Sequence, residues 1–450
     1  VDDAKITTRQ ATEIRHHGVT FRFSSSPDNL VPAECHVGQY VSGDWFVKAA
    51  PDRWIVRIDP ESSQLERPRR DGRVWVHGVQ VDPRPSKSGF DQRVSAGSLA
   101  YDHALNADPG ATGAAIPLDR PQAVVKAVSR TFEEGPAHSG FTWIDRYVVL
   151  TVVEKTPAAG AFRPPVPARD KTARFTEHMS DYDRRKSLEN MDGAPSLAAA
   201  AASTAPLMPA WFTHGAAGGD QARRLHAARH YPGYGREVAR IFGSAMLATH
   251  RQAENQEKRD AVVNLVQTGL DLCGQIQAGI GFGIGGGITQ GRKPVAVYTA
   301  VLLGDPGLLA AVHKETAPAS WGNADRQYLR ITENLVGRVI GAPAASNRIA
   351  HTPYREGHLG FADWRENAGR ITASLSSNYR HLATESTYRN LLALHLTDGA
   401  VEAWGSPLPF EYIDRAHRWY KGHFAGDWRM LGGHWSGTQH GHLASRQHVK

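Results

Sequence analysis

Apolar and polar residues alternate in VTFRF (19–23), WIVRI (54–58) and RVWVHGVQV (73–81). That period of two marks strands with one face against a core. AVVKAV (123–128) and YVVLTVVE (147–154) are Val-rich without clean alternation, and they predict further strands. Clusters of Gly, Pro, Asp and Ser separate these runs. Short strands with such punctuation predict a β-sandwich-like domain over residues 1–155.

The pattern breaks over 156–210. TPAAGAFRPPVPARDKTARF carries four prolines. Proline fixes φ and removes a donor, so this stretch predicts an extended strap rather than a strand or helix. APSLAAAAASTAPLMPA (194–210) is of low complexity, and Pro206 and Pro209 close any short helix there.

Over 211–420 the period becomes helical. In KRDAVVNLVQTGLDLCGQI (258–276), Val262, Val266, Leu270, Cys273 and Ile276 recur at steps of three and four, one buried stripe. REVARIFGSAMLATH (236–250), STYRNLLALHL (386–396) and FEYIDRAHRWY (410–420) behave similarly. KPVAVYTAVLLGDPGLLAAVH (293–313) is nearly apolar all round until Asp305-Pro306 starts a new segment. At least six helices without strands between them predict an α-helical bundle or α/α-toroid-like domain. The Gly/His-rich tail over 421–450, with His423, His434, His440, His442 and His448, predicts an extended arm or subunit contact.

Composition narrows the function. The chain has 450 residues, enough for two or three domains at about 100–200 residues each. Its 41% apolar content is that of a globular protein. A net charge of +7 favours acidic partners, but no run of five bases exists, so dedicated nucleic-acid binding is not expected. No stretch of eighteen apolar residues predicts a membrane span. The polar opening VDDAKITTRQ lacks a signal-peptide pattern, so synthesis in the cytoplasm and release by lysis are expected. Cys35 and Cys273 form no disulfide framework or metal knuckle.

GIGFGIGGGITQGRK (279–293) packs seven glycines into fifteen positions. It is not a P-loop: after Gly286 and Gly291 the Lys is displaced by one, and no Ser or Thr follows it. Nor does a strand precede it, as a dinucleotide fold requires. Between two buried helices the run is either a loop ending in two solvated bases or a wall for an anionic ligand. In the second case Arg292 and Lys293 stand at a helix start, where free N–H groups also favour anions.

SSNYRHLATESTYRN (376–390) gathers Asn378, Tyr379, Arg380, His381, Glu385, Tyr388 and Arg389. A polysaccharide lyase uses such groups: Asn, His or Arg neutralises a uronate carboxylate, and Tyr or His moves the proton. The same groups suit sugar binding without turnover, through ring stacking and Arg–carboxylate pairing. A polar helix end is the plain alternative. A glycosidase needs two opposed carboxylates, for which Glu237, Asp271 and Glu385 are candidates. His226 and His230 stand four apart but lack the Glu of a zinc HExxH motif, so neither metal nor cofactor is expected. Trp45, Trp54, Trp321, Trp364, Trp404, Trp419, Trp428 and Trp435 lie in polar settings and divide between core and sugar platforms.

Four stretches in series, CHVGQYVSGDWFV (35–47), PAAGAFRPPVPARDK (157–171), the segment from NLVQTGLDLCGQIQAG to GRKPVAVYTAVLLGD (264–305) and YRNLLALHLTDGAVEAWGSPLPFEYIDR (388–415), cover most of the chain. In content and order they resemble the motifs of an uncharacterised bacterial family also found in phage-related gene clusters. The resemblance implies a β-rich domain before a toroid-like helical domain similar to polysaccharide-degrading enzymes. It also implies a head spike of a virion or gene transfer agent, which attaches to capsular polysaccharide. One departure counts. Family members place His, Trp and Asn in the glycine loop, and GIGFGIGGGITQGRK has none of them.

The expectation is therefore a surface-polysaccharide-binding structural protein, displayed on a virion-like particle and mediating host attachment. Its partners would be a capsule or other surface glycan and capsid or spike proteins, within an oligomeric assembly. Arg292, Lys293, Tyr379, Arg380, His381, Tyr388 and Arg389 would line one cleft. The alternatives are a lyase or hydrolase of the α/α-toroid type, with Tyr379, Arg380, His381 and Tyr388 catalytic, and a purely architectural virion protein.

Overall fold

The computed structural model describes residues 4–66, 73–83, 103–129, 144–190, 194–205, 235–282, 290–326, 328–330, 333, 336–337, 355–359, 362–364 and 378–418. A β-rich region comes first and a helical region follows.

Among the described residues the strands of the first region are β1 (Arg9–Ala11), β2 (Glu13–His16), β3 (Val19–Ser24), β4 (Cys35–Gln39), β5 (Trp45–Lys48), β6 (Trp54–Asp59), β7 (Ser63–Glu66), β8 (Arg73–Val76), β9 (Val79–Val81), β10 (Ile116–Pro117), β11 (Gln122–Ser129) and β12 (Ile144–Val153). One sheet runs β1-β4-β5-β12-β11-β9 and another β10-β6-β3-β2, while β7 and β8 form a separate ribbon. β5 and β12 are parallel, with Trp45 opposite Leu150. Phe21, Phe23, Ile55 and Ile58 of the smaller sheet share one apolar core with Val37, Val47, Val124, Leu150 and Val152 of the larger. Each sheet buries one face against the other.

Two strands explain their own sequence. β3 alternates because one face is half covered. β11 is buried along its whole length, with Val124 and Val128 in the intersheet core and Ala123, Val125 and Ala127 packed with Tyr147, Val149 and Val166 on the other face. A strand covered on both faces has no reason to alternate. The run at 73–81 divides at His77, whose φ of 54° turns the chain, so β8 joins β7 while β9 joins β11.

The strap leaves β12 and binds both regions. Ile6 N–H donates to Pro157 O and Val41 N–H to Ala161 O. Farther on, Asp181 N–H donates to Leu302 O, Lys186 N–H to Leu396 O and Leu188 N–H to His250 O.

A short helix, α1 (Pro109–Thr112), belongs to the β-rich region. Among the described residues the helices that follow are α2 (Leu197–Thr204), α3 (Gly235–Thr249), α4 (Gln256–Gln277), α5 (Arg292–Leu303), α6 (Pro306–Val312), α7 (Asn323–Arg326), α8 (Asn378–His395), α9 (Ala400–Trp404) and α10 (Leu408–Arg418). Asn255 caps α4 by accepting from Lys258 N–H. Gly304, left-handed at φ 60°, ends α5, and Asp305 caps α6 with Pro306 in its first turn. Every residue of α5 is buried, which places this helix at the centre. α4 packs on it where Gly269 leaves room for Thr299, and α3 packs on α8 where Gly243 meets Arg389 and Asn390.

The expectation of helices uninterrupted by strands needs correction. β13 (Tyr328–Arg330) pairs antiparallel with β14 (Ala362–Trp364), Tyr328 opposite Trp364. Three-residue strands paired across thirty-odd positions leave no local periodicity to read.

Candidate functional site

The glycine run ends at Gly291, which has φ 82° and stands immediately before α5. A Cβ there would come within 2.5 Å of the Ala239 backbone, so only glycine allows α5 to start against α3. Asn390 reaches the same residue from α8, its Nδ2 donating to Ala239 O at 2.7 Å. One turn of α3 thus lies between the start of α5 and the middle of α8.

Arg292 and Lys293 open α5, and both are 0% exposed. They are not solvated bases. A helix apolar on every side is enclosed on every side, and its first turn goes in with the rest. The Arg292 guanidinium lies 5.5 Å over the ring of Phe282. Phe282 stacks on Trp321 at 5.6 Å, and Trp321 Nε1 donates to Ala311 O. Burial pushes Arg292 down to about 9.

Lys293 Nζ bonds to Asp325 Oδ1 and, at 3.3 Å, to Trp404 O. It also lies 4.5 Å above the Trp404 ring. Burial pushes Lys293 down to about 8, against the pull of Asp325. Asp325 is 12% exposed and Lys293 not at all, so the carboxylate forms the outer edge of the pair.

Arg389 on α8 donates from Nη1 to Ser244 Oγ at 2.7 Å. Tyr388 is half-buried, and burial followed by the charge of Asp414 raises its pKa. Arg389 therefore bonds to α3 at Ser244, and Gly291, the residue before Arg292, meets the same helix at Ala239. Tyr379, Arg380, His381 and Glu385 fall on the N-terminal half of α8, but their side chains lie outside the described residues, as does that of Glu237. Residues 283–289, His226, His230 and the tail from 419 also lie outside them.

Asp271, a candidate glycosidase carboxylate, serves a different role. Arg163 Nη1 and Nη2 donate to its two oxygens at 3.0 and 2.5 Å. Arg163 Nε donates to Asp44 Oδ2 of the β-rich region at 2.8 Å. One turn earlier on α4, Gln267 accepts from Arg163 N–H and donates to Arg163 O. Burial opposes the guanidinium charge, but the two carboxylates outweigh it and hold Arg163 above its ordinary pKa. The signal for this junction was present: Gln267 and Asp271 are two polar residues spaced one turn apart on a largely buried helix. A polar stripe on a buried helix requires a polar partner.

Tyr298 and His250 are likewise held inside. Tyr298 OH lies 2.8 Å from Thr249 Oγ1, and His250 Nδ1 lies 3.0 Å from Lys186 O. Among the described residues, no group of three or more His, Cys, Asp or Glu could hold a metal ion. No described helix is long and apolar enough to cross a membrane. Comparison of the chain with protein-family models, curated proteins and solved structures gave no match.

Proposed function

We propose that the chain is a surface-polysaccharide-binding structural protein, a head spike of a virion or gene transfer agent that mediates attachment to a host capsule. In this reading the helical region is α/α-toroid-like and carries the glycan surface. Tyr379, Arg380, His381, Tyr388 and Arg389 supply the contacts, and Arg292 and Lys293 hold the base of the loop that walls them.

One observation carries the preference for binding over turnover. Four described titratable groups are engaged internally: Asp271 by Arg163, Lys293 by Asp325, Tyr298 by Thr249 and His250 by the strap carbonyl of Lys186. A general acid or base must be within hydrogen-bond reach of substrate. The absence of His, Trp and Asn from GIGFGIGGGITQGRK points the same way.

The test is retention of the purified chain on immobilised capsular and uronic polysaccharides, together with the ultraviolet absorbance of unsaturated sugar product. Retention without product supports the proposal. Product formation establishes a lyase instead. Absence of retention on any glycan leaves the architectural reading in its place.

A further inference from the structure

We propose that Lys126 and Asp108 condense to an intramolecular amide, a covalent cross-link within the β-rich region. On β11, Lys126 falls between Val124 and Val128, and strand parity aims all three into the intersheet core. Asp108 stands at the N-cap of α1. Both side chains are 0% exposed, and Nζ lies 2.8 Å from Oδ2.

The surroundings suit condensation. Asp108 Oδ1 accepts from Gly110 N–H at 3.0 Å, and Oδ2 accepts from Ser62 N–H at 2.9 Å. The Gly110 N–H stabilises the oxyanion that forms on Oδ1 in a tetrahedral intermediate, and the Ser62 N–H orients Oδ2, the oxygen that leaves. Ser62 Oγ lies 2.7 Å from Oδ2 and 2.8 Å from His77 O. A hydroxyl has one proton, so when it donates to His77 O its oxygen can accept a proton from Oδ2. Lys126 Nζ also bonds to His77 O, which orients the amine. Burial opposes the charge on Lys126 and lowers its pKa, against the pull of Asp108.

The step balances without an added reagent. A proton passes from the ammonium to Oδ2, and the freed lone pair on Nζ attacks Cγ. A second proton moves from nitrogen to Oδ2, the Cγ–Oδ2 bond breaks and water leaves. The third proton remains on the amide nitrogen. With both groups closed off from solvent, water for the reverse reaction is excluded.

Succinimide formation at an Asp also releases water, but it requires the N–H of the next residue. Here that residue is Pro109, which has none. Water loss located at Asp108 therefore reports the cross-link.

The experiment is the intact mass of the denatured full chain, followed by chymotryptic mapping. The expected mass is one water below the sum of the sequence. Cleavage after Leu118 separates Asp108 from Lys126 in a linear chain, so the two fragments are expected to remain joined. Lys126→Arg and Asp108→Ala are expected to restore the full mass. A wild-type chain of full mass overturns the proposal. So does a water loss mapped to an Asp-Gly step such as Asp71-Gly72 or Asp398-Gly399.

Discussion

Arg163 and Asp271 face each other through two hydrogen bonds, of 3.0 and 2.5 Å, where the strap crosses α4. The same guanidinium holds Asp44 of the β-rich region. Arg163→Ala leaves the Asp271 carboxylate, 2% exposed, without its counter-charge. The expected loss is about 3–5 kcal/mol of stability, read from the urea unfolding midpoint. The double variant Arg163→Met, Asp271→Leu is expected to lose less than Arg163→Ala alone, because no buried charge is stranded. A double variant weaker than the single one contradicts this account.

Gly279 and Gly291 share a left-handed backbone, at φ 78° and 82°, and differ in their surroundings. A Cβ on Gly279 meets nothing within 4 Å, whereas one on Gly291 meets the Ala239 backbone. Gly279→Ala is expected to cost about 1 kcal/mol for the backbone conformation. Gly291→Ala is expected to cost about 1–3 kcal/mol more, as overpacking is added to the same strain. Equal costs in thermal unfolding contradict the close approach of α5 to α3.

His250 links stability to pH. Burial lowers its folded pKa to about 4, from an ordinary value of 6.5. Above 6.5 neither state carries the proton and the full stability is present. Between 6.5 and 4 the unfolded chain takes up a proton that the folded chain refuses, so stability falls as the pH falls. Below 4 this residue adds no further loss. The shift corresponds to at most about 3 kcal/mol. His16, lowered to about 4 mainly by burial, adds in the same window. Chemical unfolding between pH 7 and pH 4 is expected to show a shallower decline in His250→Gln than in the wild type. An unchanged slope contradicts the assignment.

Both thiols are expected to resist labelling by a thiol reagent in the native protein and to react fully after denaturation. Cys35 and Cys273 are buried and free. Burial pushes Cys35 up to about 11 and raises Cys273 as well, so little reactive thiolate forms near neutral pH. Rapid native labelling of Cys273, near the C-terminal end of α4, contradicts the packing of that helix.

Elements were legible in the sequence wherever one face of a segment is covered by one neighbour. VTFRF alternates and forms β3, whereas the stripe through Val262, Val266 and Leu270 located α4 but understated its burial, which takes in every residue from Leu265 to Ile276. Partners were not legible, because pairing is set by the fold and not by spacing. Lys126 and Asp108 stand eighteen positions apart, and Lys293 and Trp404 stand 111 apart. Arg292 and Lys293 were expected either as solvated bases on a loop or as charged residues lining a glycan cleft, the usual places for such side chains, yet both are fully buried. The apolar character of the whole segment that follows was the better guide to their burial.

The strap also decides how a pull on one part of the molecule would reach the other. Traction on the β-rich region travels along the chain past Val153 and meets α4 at Arg163, Gln267 and Asp271 before it reaches the covalent continuation of the helical region. The Gln267 amide and the Asp271 carboxylate both hold Arg163 there, one through its backbone and the other through its guanidinium.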